Sequence, residues 1–494
     1  MKHLGILSGL FFSVVLLCSS CIMLGPDYQE PTTDLQTDWL ETPDPLVNKT
    51  PPADTGWWKT AFNDPTLDRL VETALGQNLS LRSAGLRVLQ AQQQLAIAVG
   101  NQFPQQQQAS GAAVREKADG TTFNNYNLGF NLSWEIDFWG RFRRQVESAS
   151  AALDASVADY DGAMVSLIAG VAQNYLFIRT TQQRLIVAHN NVKLQNESVR
   201  ITTAKFDSGD VSSLDVDQAQ TLLYNTRASV ASLEQSLQQF KNNLAVLLGT
   251  PPHDMSDVLD AEHVLPTVSN GIALGMPQDI IRRRPDIRSA ERRLAAQSAQ
   301  VGFAVTELYP HFSIGGSIGT SAMHSNDLFG NDYDTWDLFG GFSWDILNYG
   351  RLKNNVRLQD ARFQQLLEDY RDTVLQAQGE VENAIVAFVK SQQQFDEYQL
   401  AAAAAQRASD VSRVQYRNGL VDFNTVLTTL KSLLAQQDQL AAVQGTVTTN
   451  LVTVYKSLGG GWEIRNNEDP VNLLPESTKD EMRERSRIWK RILK

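Results

Sequence analysis

The chain has 494 residues, enough for two or three domains, and it is acidic, with 55 aspartates and glutamates against 43 lysines and arginines. Its formal net charge of −12 argues against nucleic acid as a partner, because nucleic-acid-binding proteins present a basic patch. The only two cysteines, Cys18 and Cys21, lie together near the start, so the rest of the chain cannot form a disulfide.

The N-terminus predicts export. Lys2 is followed by the apolar run "LGILSGLFFSVVLL" and then by small residues, which is the order of a secretory signal peptide over residues 1–20. The run is shorter than the ~20 apolar residues of a membrane span. No other apolar run predicts a transmembrane helix, so a membrane-spanning part would have to use β-strands.

The two cysteines predict a lipid attachment site. Their C-x-x-C spacing would suit a redox dithiol only beside a βαβ pattern, and none is present. The better interpretation is a lipobox in which cleavage leaves Cys21 as an acylated N-terminal residue. Cys18 stands where such sites usually carry Leu, and Ile22 in place of Asp permits sorting to the outer membrane. Several acyl chains give stable anchoring, and no cofactor beyond this covalent lipid is expected.

Proline placement predicts very long helices. The 16 prolines leave two gaps, between Pro104 and Pro251 and between Pro310 and Pro470. Because proline costs ~3 kcal/mol inside a helix, such gaps favour uninterrupted helices.

The chain is also duplicated. "WEIDFWGR" (134–141) matches "WDILNYGR" (344–351), 210 residues later, and the same offset pairs Phe206 with Tyr416 and Gly209 with Gly419. These features predict a division into a signal peptide (1–20), a lipidated segment (21–61), repeat 1 (62–249), a linker (250–271), repeat 2 (272–460) and a charged tail (461–494). Repeat 1 would hold strands in 105–138 and helices 140–206 and 212–249. Repeat 2 would hold strands in 311–347 and helices 350–416 and 422–459.

The strand regions alternate apolar and polar residues. In 126–138 every second residue, from Tyr126 to Phe138, is apolar or aromatic. The residues between them are Asn, Gly, Ser, Glu and Asp, which gives the period of two that a strand requires. Trp336, Leu338, Phe342, Trp344 and Ile346 repeat the pattern in the second half. The length and the tryptophans near the ends favour membrane strands over a soluble sandwich. Four strands cannot close a barrel, so copies of the chain would have to share one.

The helix regions carry a heptad seam. In 216–247 the seam positions step alternately by three and four residues, and all of them except Thr226 are apolar. Gly209 and Gly419 stand where each helix pair must reverse. Ser80 and Asp286, at matching positions of the two repeats, have the chemistry of helix N-caps.

Together these residues resemble one family, the outer-membrane factors of TolC and OprM type, in the lipoprotein subgroup called NodT-like. The motifs are "GPDYQEP" (25–31), "WWKTAFNDPTLDRLVETAL" (57–75), "MPQDIIRRRPDIRSAERRLAA" (276–296), "YRNGLVDFNTVL" (416–427) and "LGGGW" (458–462). The resemblance implies an α+β membrane fold: a trimeric twelve-stranded β-barrel, four strands per chain, continuing into a coiled-coil periplasmic tunnel.

The function that the resemblance implies is the passive exit duct of a tripartite efflux pump. The partners would be two further copies of the chain, a periplasmic adaptor, an inner-membrane transporter and outer-membrane lipid. The chain has no G-x-x-x-x-G-K-[ST] phosphate loop, so the duct has no energy source of its own. A duct for type I protein secretion, a metal or solvent exporter and a lipid-anchored scaffold without a pore are the alternatives.

The gate is expected at the helix reversals, near 206–217 and 416–428. Relatives usually carry an Asp nine residues after the second glycine, but here that position is Thr428. The gate candidates are therefore Asp215, Asp217, Asp422, Asn424 and Thr428, and the adaptor-contact candidates are Gly209, Asp210, Val211, Gly419, Leu420 and Val421.

Two further signals were weighed against a catalytic or anion-binding role. "GGSIG" (315–319) fits the hydrolase elbow G-x-S-x-G, but Ser317 lies inside an alternating strand, so no enzyme is expected. Residues 282–284 ("RRR") predict a surface cluster that pairs with acidic residues rather than an anion site. The six histidines show no metal-ligand spacing, and the tail 461–494 could be either disordered or wrapped around the helices.

Overall fold

The computed structural model describes residues 22–32, 39–40, 47–48, 56–255, 259, 265–266, 272–273 and 282–493. The predicted signal peptide 1–20 and the lipidation site Cys21 lie outside the described residues. So do parts of the segment 21–61 and of the linker 250–271, and the first residues of the motif at 276–296.

Long helices dominate the described chain. The helices are α1 Trp57–Phe62, α2 Pro65–Gln77, α3 Leu79–Gly100, α4 Arg141–Asp207, α5 Ser213–Leu247, α6 Pro285–Thr306, α7 Arg351–Arg417, α8 Phe423–Ser457 and α9 Glu476–Arg485. The strands are β1 Val47–Asn48, β2 Gln106–Ala118, β3 Thr121–Ile136, β4 Ile272–Ala273, β5 His311–Ala322 and β6 Asp334–Ser343. The chain divides into two compact units: the first is Met1–Thr33 with Arg87–Ala158 and Arg288–Thr373, and the second is Asp34–Leu86 with Asp159–Ile287 and Val374–Lys494.

The four long helices α4, α5, α7 and α8 occupy the ranges that the repeats predicted, with ends that differ by one or two residues. The C-terminal ends of α5 and α8 are set by glycine. Gly249 and Gly459 have φ angles of 75° and 72°, a left-handed conformation that glycine adopts without steric cost. The two helices α5 and α8 therefore stop two residues before these glycines.

Helix α4 corrects one expectation. An 18-residue window within it reaches a mean hydropathy of 1.2, so among the described residues one helix does have the length and composition of a membrane span. However, 61% of that window is buried inside the protein. A helix that is apolar over much of its circumference is also what a buried core position requires.

The first unit contains a four-stranded antiparallel sheet in the order β2-β3-β5-β6. β2 and β3 form a hairpin whose turn residues, Asp119 and Gly120, both have positive φ, as a two-residue turn of type I′ requires. The predicted strand region 311–347 is shorter in the structure, because two 3₁₀ turns separate β5 from β6 and β6 ends at Ser343.

Two residues predicted in that last strand therefore lie beyond it. The Trp344 indole N–H donates to the Leu308 carbonyl at 3.0 Å, and the Ile346 N–H bonds locally to the Trp344 carbonyl at 2.9 Å. Phe138 likewise lies past the end of β3, where its N–H bonds to the Ile136 carbonyl. The backbone N–H groups of Ile346 and Phe138 are thus used in local bonds and do not continue the ladder.

The sheet separates apolar from polar side chains. Register places Phe130 opposite Ile318, and Ile318 opposite Trp336, whereas Asn131 pairs with Ser317 and Ser317 with Asp337. The apolar face is exposed in the single chain, with Ile318 at 64% and Leu338 at 82% exposure. A continuous apolar face flanked by tryptophans is typical of a strand set that faces lipid.

The N-terminal strap, defined here as residues 22–32, is fixed in the first unit by a buried arginine. The Arg144 side chain is fully buried, and its guanidinium donates to the carbonyls of Leu24 and Gly25 and to the Asp27 carboxylate. Gly25 has φ +89°, and a Cβ there would stand 2.3 Å from the Cα of Gly302. These contacts give the "GPDY" motif a structural role.

The "RRRPDIRSAE" motif also has a packing role that the sequence did not reveal. Arg284 is only 7% exposed, and it donates to the Ser457 carbonyl and to the carboxylates of Asp286 and Glu380. The prediction of a surface cluster was therefore wrong for Arg284, although its pairing with acidic residues was expected. The arginine satisfies a carbonyl at the C-terminal end of α8, which has no partner within its own helix.

The predicted N-caps also need correction. Ser80 lies inside α3, and Asn78 caps that helix by accepting the Leu81 N–H at 2.9 Å. Asp286 is the second residue of α6, where its carboxylate accepts the Ile287 N–H at 3.0 Å. At the start of α3 the two residues with capping chemistry, Asn78 and Ser80, are two positions apart, and the backbone path decides between them.

Candidate functional site at the two helical tips

The two helix reversals of the second unit are built in the same way. We call residues 206–217 tip 1 and residues 416–428 tip 2. At tip 1 the Asp210 N–H donates to the Lys205 carbonyl at 2.8 Å and the Gly209 N–H to the Phe206 carbonyl at 2.9 Å. Together with the φ of 78° at Gly209, this is a Schellman motif.

Tip 2 repeats the motif with different residues. The Leu420 N–H donates to the Gln415 carbonyl at 2.9 Å and the Gly419 N–H to the Tyr416 carbonyl at 3.1 Å. Gly419 has a φ of 72°. The helices α4 and α7 each end two residues before the glycine, and the next helix starts four residues after it, at Ser213 and Phe423. The chain therefore reverses at both glycines, as the repeat predicted.

A buried cluster lies directly behind tip 2. Tyr416 and Phe423 are 5% and 2% exposed, with ring centroids 5.5 Å apart. Lys205, at the end of α4, places its ammonium 5.2 Å from the centre of the Tyr416 ring. The cluster consists of Ala219, Leu222, Tyr416, Phe423, Val426, Leu427 and Leu430, with Val199, Ile201 and Val421 packed against it. Residues of both repeats thus share one core at the tips.

Three titratable groups at the tips influence one another. Burial raises the pKa of Asp215, and the negative charge of Asp422 raises it further. Hydrogen bonds from the Thr425 side chain and backbone hold the pKa of Asp422 below its usual range. Burial and the charge of Asp215 raise the pKa of Tyr416 to about 12. The tips therefore concentrate negative charge next to an apolar core.

Asp422 has a structural role at this place. It is the N-cap of α8, where its carboxylate accepts the Thr425 N–H at 2.9 Å and the Thr425 hydroxyl at 2.7 Å. The equivalent Ser212 stands at the N-cap of α5 but makes no side-chain capping bond. A carboxylate at a helix start also interacts favourably with the helix dipole.

The other gate candidates are at or near the surface. Asp217, Asn424 and Thr428 are exposed, and Asp215 is half-buried. The Thr428 hydroxyl donates to the Asn424 carbonyl at 2.8 Å, within its own helix. The chain thus brings Asp215 and Asp422 into one electrostatic group and leaves the other three at separate positions on the helix surface.

The adaptor-contact candidates form the outermost part of both tips. Leu420 is 71% exposed, and Leu214, just past tip 1's turn, is 60% exposed. Val211 and Val421 are half-buried, whereas Gly209, Asp210 and Gly419 are exposed. Exposed leucines at the end of a helical hairpin offer apolar surface whose burial by a protein partner would be favourable.

Sequence reasoning missed an ionic contact between α4 and α7 above the tips. Glu197 pairs with Arg417 and also lies 3.8 Å from Arg413. The two arginines are four residues apart on α7 and therefore share a face, which the sequence does show. Their partner comes from a helix more than two hundred residues earlier, and no local pattern points to it.

A family model described as "Outer membrane efflux protein" matches residues 70–250 and 276–460. These ranges cover both repeats and well over half of the chain. The chain belongs to the outer membrane efflux protein family. The suspected resemblance is thereby confirmed, and so are the efflux function and the location in the outer membrane with extension into the periplasm.

Relatives of this outer membrane efflux protein extend over most of its length. Nodulation protein T of Rhizobium leguminosarum bv. trifolii is 32% identical over 441 residues, which cover 88% of this chain and 93% of that protein. The pyoverdine export outer membrane protein OpmQ of Pseudomonas putida is 32% identical over 426 residues, covering 83% and 89%. The solved outer-membrane channel OprN matches with a TM-score of 0.83 at 31% identity, covering 89% of this chain and 99% of that chain.

The likeness to OprN confirms the predicted fold class of membrane strands combined with long coiled-coil helices. These relatives are named as a nodulation protein, an export protein and a channel, not as enzymes. Ser317 of this efflux protein lies in the middle of β5 and donates to Asp337 on the neighbouring strand. An elbow would need a turn into a helix at that position, so the hydrolase motif is a coincidence of strand composition.

Proposed function

We propose that the chain works as a homotrimer and forms the passive exit duct of a tripartite efflux pump, joined through a periplasmic adaptor to an inner-membrane transporter. The observation that carries this proposal is the open sheet of the single chain. Its edge strands β2 and β6 each pair on one side only, and unpaired backbone groups cannot face lipid. Three chains would supply twelve strands, which is enough to close a barrel.

The lipid on Cys21 belongs to the same proposal. The strap follows Cys21 directly, and the Leu24 N–H donates to the Trp139 carbonyl at 3.1 Å, close to the end of β3. The Trp139 indole N–H donates to the Pro310 carbonyl at 2.9 Å, just before β5. An acylated residue attached there would enter the bilayer beside the strand ends, where amphipathic tryptophans are favourable.

The gate of the duct would lie at the tips. Tip 2 has a buried aromatic core and shares the Asp215–Asp422 pair with tip 1, so it can hold a defined closed position and present negative charge. In a trimer these carboxylates would form a ring, and rings of carboxylates select for cations. Thr428 would leave its own position in the ring uncharged.

Conductance in planar bilayers tests the duct. Purified full-length protein should give stepwise currents, and each step should require three chains. Mixed oligomers of tagged and untagged protein give the number of chains per channel. Folded protein that yields no conductance would exclude the duct and revive the scaffold without a pore.

Photo-crosslinking from Asp210 and Leu420 in cells tests the partners. Capture of the adaptor of a resistance-type pump would support the proposal. Capture of a secretion-type or metal-export adaptor would keep the duct and change its cargo. Repeated capture of only the chain itself would count against an adaptor at the tips.

A further inference from the structure

The C-terminal tail (461–494) is folded and has eight lysines and arginines against seven aspartates and glutamates, with its basic residues concentrated at the end of an otherwise acidic chain. It contains α9 and ends in a 3₁₀ turn over Arg487–Arg491. Its base is fixed by a buried ion pair in which Arg465 contacts Asp161 at 2.8 Å, with side-chain exposures of 6% and 0%. Leu474 lies against Gly85 of α3, and Leu493 is 3% exposed. The tail is thus held to the helical unit along its length.

The last turn of the tail presents a compact basic surface, which we call the basic segment (residues 485–491). Arg485, Arg487, Lys490 and Arg491 are all exposed. Within the described part of the chain, Arg487, Lys490 and Arg491 contact no carboxylate at salt-bridge distance, whereas Arg483, one turn earlier, pairs with Glu476 and Asp480. The seven residues of the basic segment thus hold four cations and no carboxylate, on a protein with a net charge of −12.

We propose that the basic segment binds the peptidoglycan of the cell wall through the carboxylates of its stem peptides. The protein extends into the periplasm, where this polymer is the extended anionic surface that a periplasmic domain meets. An acidic protein is repelled by an acidic polymer, so contact requires a local patch of opposite charge. Screening over ~8 Å at physiological ionic strength makes such a patch act independently of the net charge.

The structure favours the wall over a lipid surface. The 3₁₀ turn has only five residues, and an amphipathic helix that lies in a membrane interface is much longer. The exposed apolar residues in this turn and directly after it are Ile488 and Ile492, which are too few to insert into acyl chains.

The test is co-sedimentation of purified full-length protein with isolated peptidoglycan sacculi. Wild-type protein should bind, and binding should weaken as salt rises from 50 to 300 mM. The triple variant Arg487→Gln, Lys490→Gln and Arg491→Gln should bind about tenfold more weakly or worse, because each lost charge contact contributes on the order of a threefold factor. Sacculi whose carboxylates have been amidated should not retain the wild-type protein.

A matched control distinguishes the effect of the basic segment from the effect of the net charge. The variant Lys193→Gln, Arg200→Gln and Arg407→Gln removes three exposed cations from α4 and α7 and changes the net charge by the same amount. It should bind sacculi as wild type does. Equal loss in both variants, or equal binding by the tail variant and wild type, would overturn the proposal.

Two further readouts complete the test. Conductance of the tail variant should equal that of wild type, so a failure of the wall contact is distinguishable from a failure of the duct. Vesicles of phosphatidylglycerol and phosphatidylethanolamine should bind wild type and tail variant alike. A tail-dependent binding to these vesicles, with none to sacculi, would assign the segment to lipid and overturn the inference.

Discussion

Tip 1 and tip 2 have the same turn but opposite packing. Both end a helix with a Schellman motif at glycine, and in both the next helix starts four residues after that glycine. Yet Phe206 of tip 1 is 45% exposed, whereas the equivalent Tyr416 of tip 2 is 5% exposed. Ser213, which matches Phe423, is also exposed. Tip 2 is therefore a small hydrophobic core, and tip 1 is an exposed turn.

The difference shows what duplication preserves. A turn depends on the local requirement for positive φ, so glycine stays at both positions. Burial depends on which helices lie behind each tip, and only tip 2 has the cluster around Phe423. Local structure was duplicated, whereas the packing environment was not. If tip 2 is the gate, its variants should affect leak far more than the matched variants of tip 1.

The largest effect is expected at Phe423. Phe423→Ala should destabilise tip 2 by about 3–5 kcal/mol, because a buried ring is removed and a cavity remains. The matched Ser213→Ala at tip 1 should stay within roughly 0.5 kcal/mol. Hydrogen exchange of the backbone amides in residues 416–430 measures both. Similar protection in the two variants would show that tip 2 is not a local core.

A stabilising change is expected at Tyr416. Its hydroxyl is buried and has no hydrogen-bond partner among the described residues. Tyr416→Phe keeps the ring contacts with Phe423 and Lys205 and removes an unsatisfied polar group, so we expect a gain of about 1 kcal/mol. Hydrogen exchange of the backbone amides in residues 416–430 measures this gain in stability. Faster exchange in this variant would mean that the hydroxyl has a partner, such as bound water.

A smaller destabilisation is expected at Asp422. Asp422→Ala removes a working N-cap and should loosen the first turn of α8, whereas Ser212→Ala removes no capping bond. We also expect Asp422→Ala to raise leak conductance in planar bilayers. Asp422→Asn retains the acceptor and removes the charge, so it distinguishes a capping role from an electrostatic one. Unchanged conductance in both variants would count against Asp422 as a gate residue.

The smallest effect concerns pH. The raised pKa of Asp215 means that its ionised form destabilises the tip, so protection should rise as pH falls from 7 through that pKa. The lowered pKa of Asp422 means that its stabilisation is present above the ordinary aspartate pKa and is lost as pH falls through the lowered value.

Asp215→Asn should remove only the first of these changes, with a gain of roughly 0.3 kcal/mol at pH 7 because solvent screens a half-buried pair. Hydrogen exchange measured between pH 3 and 7 detects both pH-dependent changes in protection. Loss of protection between pH 7 and 5 in wild type would contradict a destabilising effect of ionised Asp215. Asp422→Asn should abolish the change at low pH and also reduce the first change, because the negative charge of Asp422 contributes to the raised pKa of Asp215.

Sequence reasoning identified features that depend on local rules. The positions of Gly209 and Gly419, the four long helices and the alternation in 126–138 all follow from propensity, periodicity and repetition. It failed where local candidates compete, as with Ser80 and Asn78, or where a local backbone bond ends a strand, as with Ile346 and Trp344. It also gave Asp422 and Asp217 the same weight, although only Asp422 caps a helix.

The sequence by itself determined the duplicated helix–strand order, the family and the two turns, because each depends on residues close together in the chain or on a repeated motif. Tertiary structure alone decided the burial of Arg284 and Arg144, the partners of Glu197 and the core at tip 2. Each of these joins residues a hundred or more positions apart, as with Arg144 and Leu24 or Glu197 and Arg417. Such contacts arise only when separate helices pack, and packing is a property of the whole folded chain.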